Sequence, residues 1–222
     1  MKRAAVAPKS SPAGDRGVVR ALRVGYADDA TLAHALAAGE PRAASAAWDR
    51  FSPLVRGLLW QSLGPSSEVE DHLQDVFLTL FRRARDLRDP NAITSFVIGI
   101  TVRVARSELR RRRVRRWLLL SPDGVLPELP AVEADRATRD ALASVQAILE
   151  RLDPEPRLAF VLRHAQGMDV AEIAGALDCS LATAKRRLAR ATERVLFHAK
   201  SDPDLLTFVS STEPALREGS ES

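Results

Sequence analysis

Apolar residues recur at steps of three and four along most of the chain, and no segment alternates convincingly with a period of two. The pattern predicts an all-α protein. A first helix starts near Asp28-Asp29 and carries Leu32 and Leu36 until Gly39 and Pro41 interrupt it. A second carries Trp48, Phe51, Val55, Leu58 and Leu59, contains Pro53 as a candidate kink, and stops at Gly64-Pro65. Ser67-Glu68-Val69-Glu70 has the spacing of a capping box. The helix it opens puts Val69, Leu73, Val76, Phe77 and Leu80 on one face and Glu68, Asp71, Gln74 and Asp75 on the other. Asp89-Pro90 opens a fourth helix, which runs through Phe96, Ile100 and Val104 into a run of arginines.

A second helical block follows. Asp153-Pro154-Glu155 reads as an N-cap followed by proline at the first helical position, with Leu158, Val161 and Leu162 on one face and Gly167 closing the helix. Asp169-Val170-Ala171-Glu172 is another capping box, and the helix after it packs Ile173 and Leu177, with Ala174 small enough for a close crossing. Asp178-Cys179 makes a turn, with Asp178 suited to the left-handed conformation. Ser180 caps a third helix that turns Ala184, Leu188, Ala191 and Val195 inward.

Between the blocks lies a stretch rich in proline and acid, with Pro122, Asp123-Gly124, Pro127 and Pro130. The predicted organisation is a flexible arm over 1–26, a helical domain over 27–118, a flexible linker over 119–134, a second small helical domain over 135–200, and an acidic tail over 201–222. No apolar run approaches the ~20 residues that span a bilayer, and the N-terminus lacks the apolar centre of a secretory signal. Together with the single cysteine, Cys179, this predicts a cytosolic protein without disulfides.

The net charge of +4 says little by itself, but its distribution says more. Residues 103–116 hold eight arginines against one acid, Glu108, and residues 181–200 hold six basic residues against Glu193. Two concentrated basic segments suggest two contacts with a polyanion. A short helix, a tight turn and a helix with a polar N-terminal face form a helix-turn-helix, whose second helix enters the major groove. Leu181, Ala182, Thr183, Arg186 and Arg187 occupy its first turns, and Lys185, Arg190 and Arg194 can reach flanking phosphates. Arginine suits a bidentate contact with guanine. His34, His72, His164 and His198 show no metal-ligand spacing, and no glycine-rich phosphate loop is present, so neither catalytic residues, a metal nor a cofactor are expected.

Three stretches together carry a family resemblance: Glu70-Asp71-His72-Leu73-Gln74-Asp75-Val76-Phe77, Ser107-Glu108-Leu109-Arg110-Arg111-Arg112, and Leu149 to Arg190 with Glu172-Ile173-Ala174 and Thr183-Ala184-Lys185-Arg186-Arg187-Leu188. They resemble bacterial RNA polymerase sigma factors of the extracytoplasmic-function group, built from two helical domains called regions 2 and 4. The resemblance implies that Asp71, Gln74 and Asp75 dock core RNA polymerase. It implies that Arg103, Arg106, Arg110, Arg111, Arg112 and Arg113 hold the downstream element of promoter DNA and its opening strands. It further implies that Leu181, Ala182, Thr183, Lys185, Arg186, Arg187 and Arg190 read the upstream element, and that the loop Arg85–Asn91 sits where an unstacked base is captured. Members are commonly held by an anti-sigma factor; nothing in the sequence identifies one here. Departures are Phe96 and Arg103, where many members have tryptophan and asparagine, Asp178 for the usual turn glycine, and Ala184 for a larger aliphatic. Gly99 and Thr101 lower the helix propensity of the promoter-opening segment. Two rivals therefore stand beside the sigma reading: a stand-alone helix-turn-helix regulator, and a sigma-like adaptor that no longer opens DNA.

Overall fold

A computed structural model of the chain describes residues 26–64, 66–119 and 144–199. The arm before residue 26, nearly all of the expected linker and the acidic tail lie outside these residues. Among the described residues there are helices and no strands.

Helix α1 is Asp29–Ala38, with Asp28 accepting the Thr31 backbone N–H at 2.7 Å. Gly39 ends it at φ 77°, a left-handed conformation open to glycine without steric cost. Helix α2 is Pro41–Leu63, opened by its proline and continuous through Pro53. Helix α3 is Val69–Arg83. The capping box expected at Ser67 does not form: the residue before α3 is Glu68, without a side-chain cap, and Ser66 Oγ accepts the Glu68 N–H instead. Arg56, on α2, takes the Glu70 carboxylate in two hydrogen bonds of 2.7 and 3.1 Å, so Glu70 cannot reach back to cap the helix. These bonds hold Glu70 below the usual carboxylate range. Two short 3-10 turns, Ala84–Asp86 and Pro90–Ala92, lead into α4, Ile93–Leu119.

The second domain begins with α5, described over residues 144–150. Helices α6 (Pro154–His164), α7 (Val170–Ala176) and α8 (Leu181–Ala199) follow. The first domain closes around Val55, Leu58, Leu59, Leu73, Val76 and Val97, all fully buried, and the second around Leu158, Leu162, Ile173, Ala184 and Ala191. The face expected to bury Trp48 does so only in part: Trp48 stays 36% exposed, its ring 4.6 Å from that of Phe77.

Two features go beyond the sequence expectations. The domains are docked, with α6 against α2 and α4, and α7 against α4, and the buried apolar cluster continues from one into the other. Helix α4 is also unbroken across Gly99 and Thr101. Thr101 Oγ1 donates to the Val97 carbonyl at 2.8 Å, which satisfies its hydroxyl inside the helix. At Gly99 an added Cβ would meet nothing closer than Arg103 Nη1 at 4.0 Å. Gly99→Ala is therefore expected to stabilise the fold by about 0.5–1 kcal/mol, measured as a rise in the urea midpoint at constant m-value.

Candidate nucleic-acid interface

The helix-turn-helix is set by local chemistry. Asp169 accepts the Glu172 N–H at 2.7 Å while Glu172 accepts the Asp169 N–H at 2.8 Å, the reciprocal box expected there. The turn depends on Asp178, at φ 51° the only non-glycine residue with positive φ among the described residues. Cys179 N–H then returns to the Ala174 carbonyl at 3.0 Å. Ser180 Oγ accepts the Thr183 N–H at 3.2 Å and starts α8.

Ala184 and Ala191 are fully enclosed and Val195 nearly so, which fixes the rotation of α8 about its axis. That rotation leaves Leu181, Ala182, Lys185, Arg186 and Arg190 exposed and Thr183 and Arg187 half-buried, a single polar face. Ala184 is small and fully enclosed where α8 packs against α6 and α7.

The first domain carries two further surfaces. On α3, Asp71, Gln74 and Asp75 are exposed at steps of three and one. The same stripe continues into Leu78, 50% exposed, and Phe81, 37% exposed, and the Phe77 ring lies between those of Phe81 and Trp48, at 5.9 and 4.6 Å. Sequence reasoning missed this apolar end, although Leu78, four residues beyond Gln74 and three beyond Asp75, and Phe81, seven beyond Gln74, must share their face.

The arginines of α4 divide by partner. Glu108, counted in the sequence as a lone acid among arginines, is 3% exposed and forms a hub. Its carboxylate contacts Arg111 at 2.7 Å, Arg112 at 2.8 Å and Arg115 at 2.9 Å. Burial pushes its carboxyl up, but hydrogen bonds from Arg112 and Arg111 outweigh this and leave it below its ordinary value. Arg112 also donates to the Leu63 carbonyl at 2.8 Å and pairs with Glu68 at 2.9 Å, tying α4 to the start of α3. Arg106, Arg110 and Arg113 instead face the second domain, and Arg103 is exposed without an ion pair among the described residues. In the loop Arg85–Asn91, Arg85 donates to the Ala37 carbonyl at 3.2 Å, while Arg88, Asp89 and Asn91 are exposed.

Glu68, His72 and Glu108 place one ligand atom each within 4.8 Å of one another. Three guanidinium groups around two carboxylates leave no net negative charge to attract a cation, so the cluster is an ion-pair network rather than a metal centre.

This combination of a compact helical domain with a basic helix and a docked helix-turn-helix domain defines a DNA-binding transcription protein. Residues 47–115 match sigma-70 region 2 and residues 142–195 match sigma-70 region 4. The ECF RNA polymerase sigma factor SigM of Mycobacterium tuberculosis is 30% identical over 167 residues, which cover 75% of this chain and 82% of that protein. The ECF RNA polymerase sigma-E factor of Escherichia coli is 24% identical over 176 residues, 75% of this chain and 92% of that one. The fold is shared with CnrH in its complex with the cytosolic domain of CnrY, at a TM-score of 0.57 and 24% identity over 78% of this chain and 98% of that chain. A second solved structure, the Bartonella quintana sigma factor RpoE with the anti-sigma factor NepR, has a TM-score of 0.54 and 21% identity over 70% of this chain and 95% of that chain. The chain belongs to the sigma-70 family of RNA polymerase sigma factors, in its extracytoplasmic-function group. Members of this family are non-enzymatic regulators of transcription initiation. No described helix is long and apolar enough to cross a membrane.

Proposed function

We propose that this protein binds core RNA polymerase in the cytosol and directs it to particular promoters, contributing binding energy and geometry while the polymerase performs the chemistry. The observation that carries this is the exposed first half of α8, fixed by two caps and a left-handed turn, in a chain that matches both sigma regions. In this reading α1–α4 form the polymerase-binding and promoter-opening unit, and α5–α8 form the upstream-reading unit. Leu181, Ala182, Thr183, Lys185, Arg186, Arg187 and Arg190 contact the upstream element. Arg103, Arg106 and the arginines from 110 to 113 serve the downstream element, with Arg112 acting mainly by holding α4 in place. Asp71, Gln74 and Asp75 dock the polymerase, and Leu78 and Phe81 extend that surface. The unbroken α4 favours promoter opening over the adaptor reading. The solved Bartonella relative is bound by an anti-sigma factor, and we infer the same class of partner here.

Run-off transcription with core polymerase tests the reading and separates it from a stand-alone regulator, which binds DNA without granting promoter specificity. Binding should weaken steeply with salt, since phosphate neutralisation releases counterions. Arg186, exposed and without an ion pair among the described residues, is the best probe of base contact. Arg186→Ala is expected to cost about 1–3 kcal/mol on the cognate upstream element. An equal loss on every duplex would make it a phosphate contact instead.

A further inference from the structure

A cleft of about 680 Å³ opens between the later turns of α4, the start of α6 and the first turns of α8. Small-molecule sites span roughly 300–1,000 Å³, and a cleft of this volume admits such a ligand and not a double helix. Arg110 and Arg113 line it from α4, and Arg186, Arg187 and Arg190 from α8. The acids in its wall are Asp153 and Glu155, so five cations face two carboxylates. Both carboxylates are already neutralised. Glu155 contacts Arg106 at 2.9 Å, Arg110 at 3.0 Å and Arg187 at 3.1 Å. Asp153 pairs with Arg113 and, at 3.6 Å, with Arg190.

The arginines keep donor capacity beyond these pairs. A guanidinium carries five N–H donors in a fixed fork, and the side chains of Arg110, Arg113 and Arg190 stay 65%, 67% and 62% exposed after pairing. Arg186 is exposed and has no ion pair among the described residues. The rest of the wall is apolar, with Val114, 55% exposed, and the two prolines Pro154 and Pro156. An open valine set among cations suits a ligand that has an apolar face as well as anionic groups.

We propose that this cleft is a binding site for a nucleoside polyphosphate, which competes with DNA for the arginines of α8. The phosphates lie between Arg110 and Arg113 on one wall and Arg186 and Arg190 on the other, in the paired N–H···O geometry that arginine makes with phosphate. A chain of phosphates, unlike a single one, engages both walls at once. The base lies against Val114, Pro154 and Pro156. The competition rests on the reading of Arg186, Arg187 and Arg190 as DNA contacts, whereas the site itself does not. An occupied cleft makes DNA binding by this chain sensitive to the supply of nucleotide.

The test titrates the full-length protein with ATP and, separately, with inorganic tripolyphosphate by calorimetry, without divalent cations and at fixed ionic strength. ATP should bind severalfold more tightly than tripolyphosphate. Arg110→Ala and Arg186→Ala, on opposite walls, should each weaken ATP about tenfold. Arg42→Ala and Arg82→Ala, which remove the same charge from exposed positions of the first domain, should change it little. Val114→Ser should weaken ATP and leave tripolyphosphate unchanged. ATP should also displace a fluorescein-labelled random-sequence duplex in anisotropy, since phosphate contacts need no cognate sequence. The two wall variants lie on different helices, so the test stands if one of them folds poorly. Wild type that takes no ATP, takes it equally well after both wall variants, prefers tripolyphosphate, or keeps its duplex when ATP is bound overturns the proposal. If ATP binds as described but no duplex binds, with or without core polymerase, the assignment of the α8 arginines to DNA fails instead.

Discussion

Glu108→Ala is expected to lower the unfolding free energy by about 3 kcal/mol. Glu108 is nearly inaccessible, and its two oxygens serve three guanidinium groups. Removing the carboxylate leaves those charges together without their common counter-ion. Arg111 and Arg115, about half exposed, can turn to water, but Arg112 is only 25% exposed and remains between Leu63 and Glu68. The loss is therefore dominated by repulsion around Arg112 and by loosening of the α3–α4 junction. Glu108→Gln, which keeps the shape and some hydrogen bonding, should fall between wild type and alanine. Urea titration followed by far-UV circular dichroism measures both; an alanine variant within about 1 kcal/mol of wild type would show that the network behaves as an ordinary surface ion pair.

Asp75→Arg is expected to weaken binding to core polymerase by about 2 kcal/mol, roughly thirtyfold, while the thermal midpoint stays close to wild type. Asp75 is 65% exposed at its side chain, and its contact with His72 Nδ1 is long, at 4.0 Å, so the fold does not depend on it. Glu70, one turn earlier, is a poorer probe because Arg56 already holds it. If the proposed docking stripe is the polymerase contact, charge reversal in its middle replaces an attractive contact with a repulsive one and leaves the flanking apolar residues Leu78 and Phe81 in place. Surface plasmon resonance with immobilised core enzyme reads the change directly; a folded variant with wild-type affinity would remove Asp75 from the docking surface.

Features governed by neighbours in sequence are legible in the order of the residues alone. The Asp169–Glu172 box, the Ser180 cap, the left-handed Asp178 and the glycine stops at residues 39 and 64 each depend on a few adjacent residues, and each is found. What failed depended on partners distant in sequence. Ser67 lost its box because Arg56, fourteen residues before Glu70, reached that carboxylate first. Asp153 lost its cap bond to Arg113 and Arg190. The roles of the α4 arginines could not be sorted from a one-dimensional charge count, since Glu108 enters it as one acid against eight bases and yet satisfies three of them. Domain docking was invisible for the same reason: a proline-rich stretch between helical blocks predicts a connection, not whether the connected bodies touch.

Helix α4 is 27 residues long, and at a rise of ~1.5 Å per residue it forms a rod of roughly 40 Å. That exceeds the ~34 Å of one turn of B-form DNA. Its first half is clamped within the hydrophobic interior by Val97, Ile100, Val102 and Ala105, and its second half is pinned on one side to Leu63 and Glu68 through Arg112 and on the other to the second domain through Arg106, Arg110 and Arg113. A stiff rod anchored along its length in this way transmits a set bearing from the α3 face to the second domain, so whatever grips α3 also aims the arginines of α4.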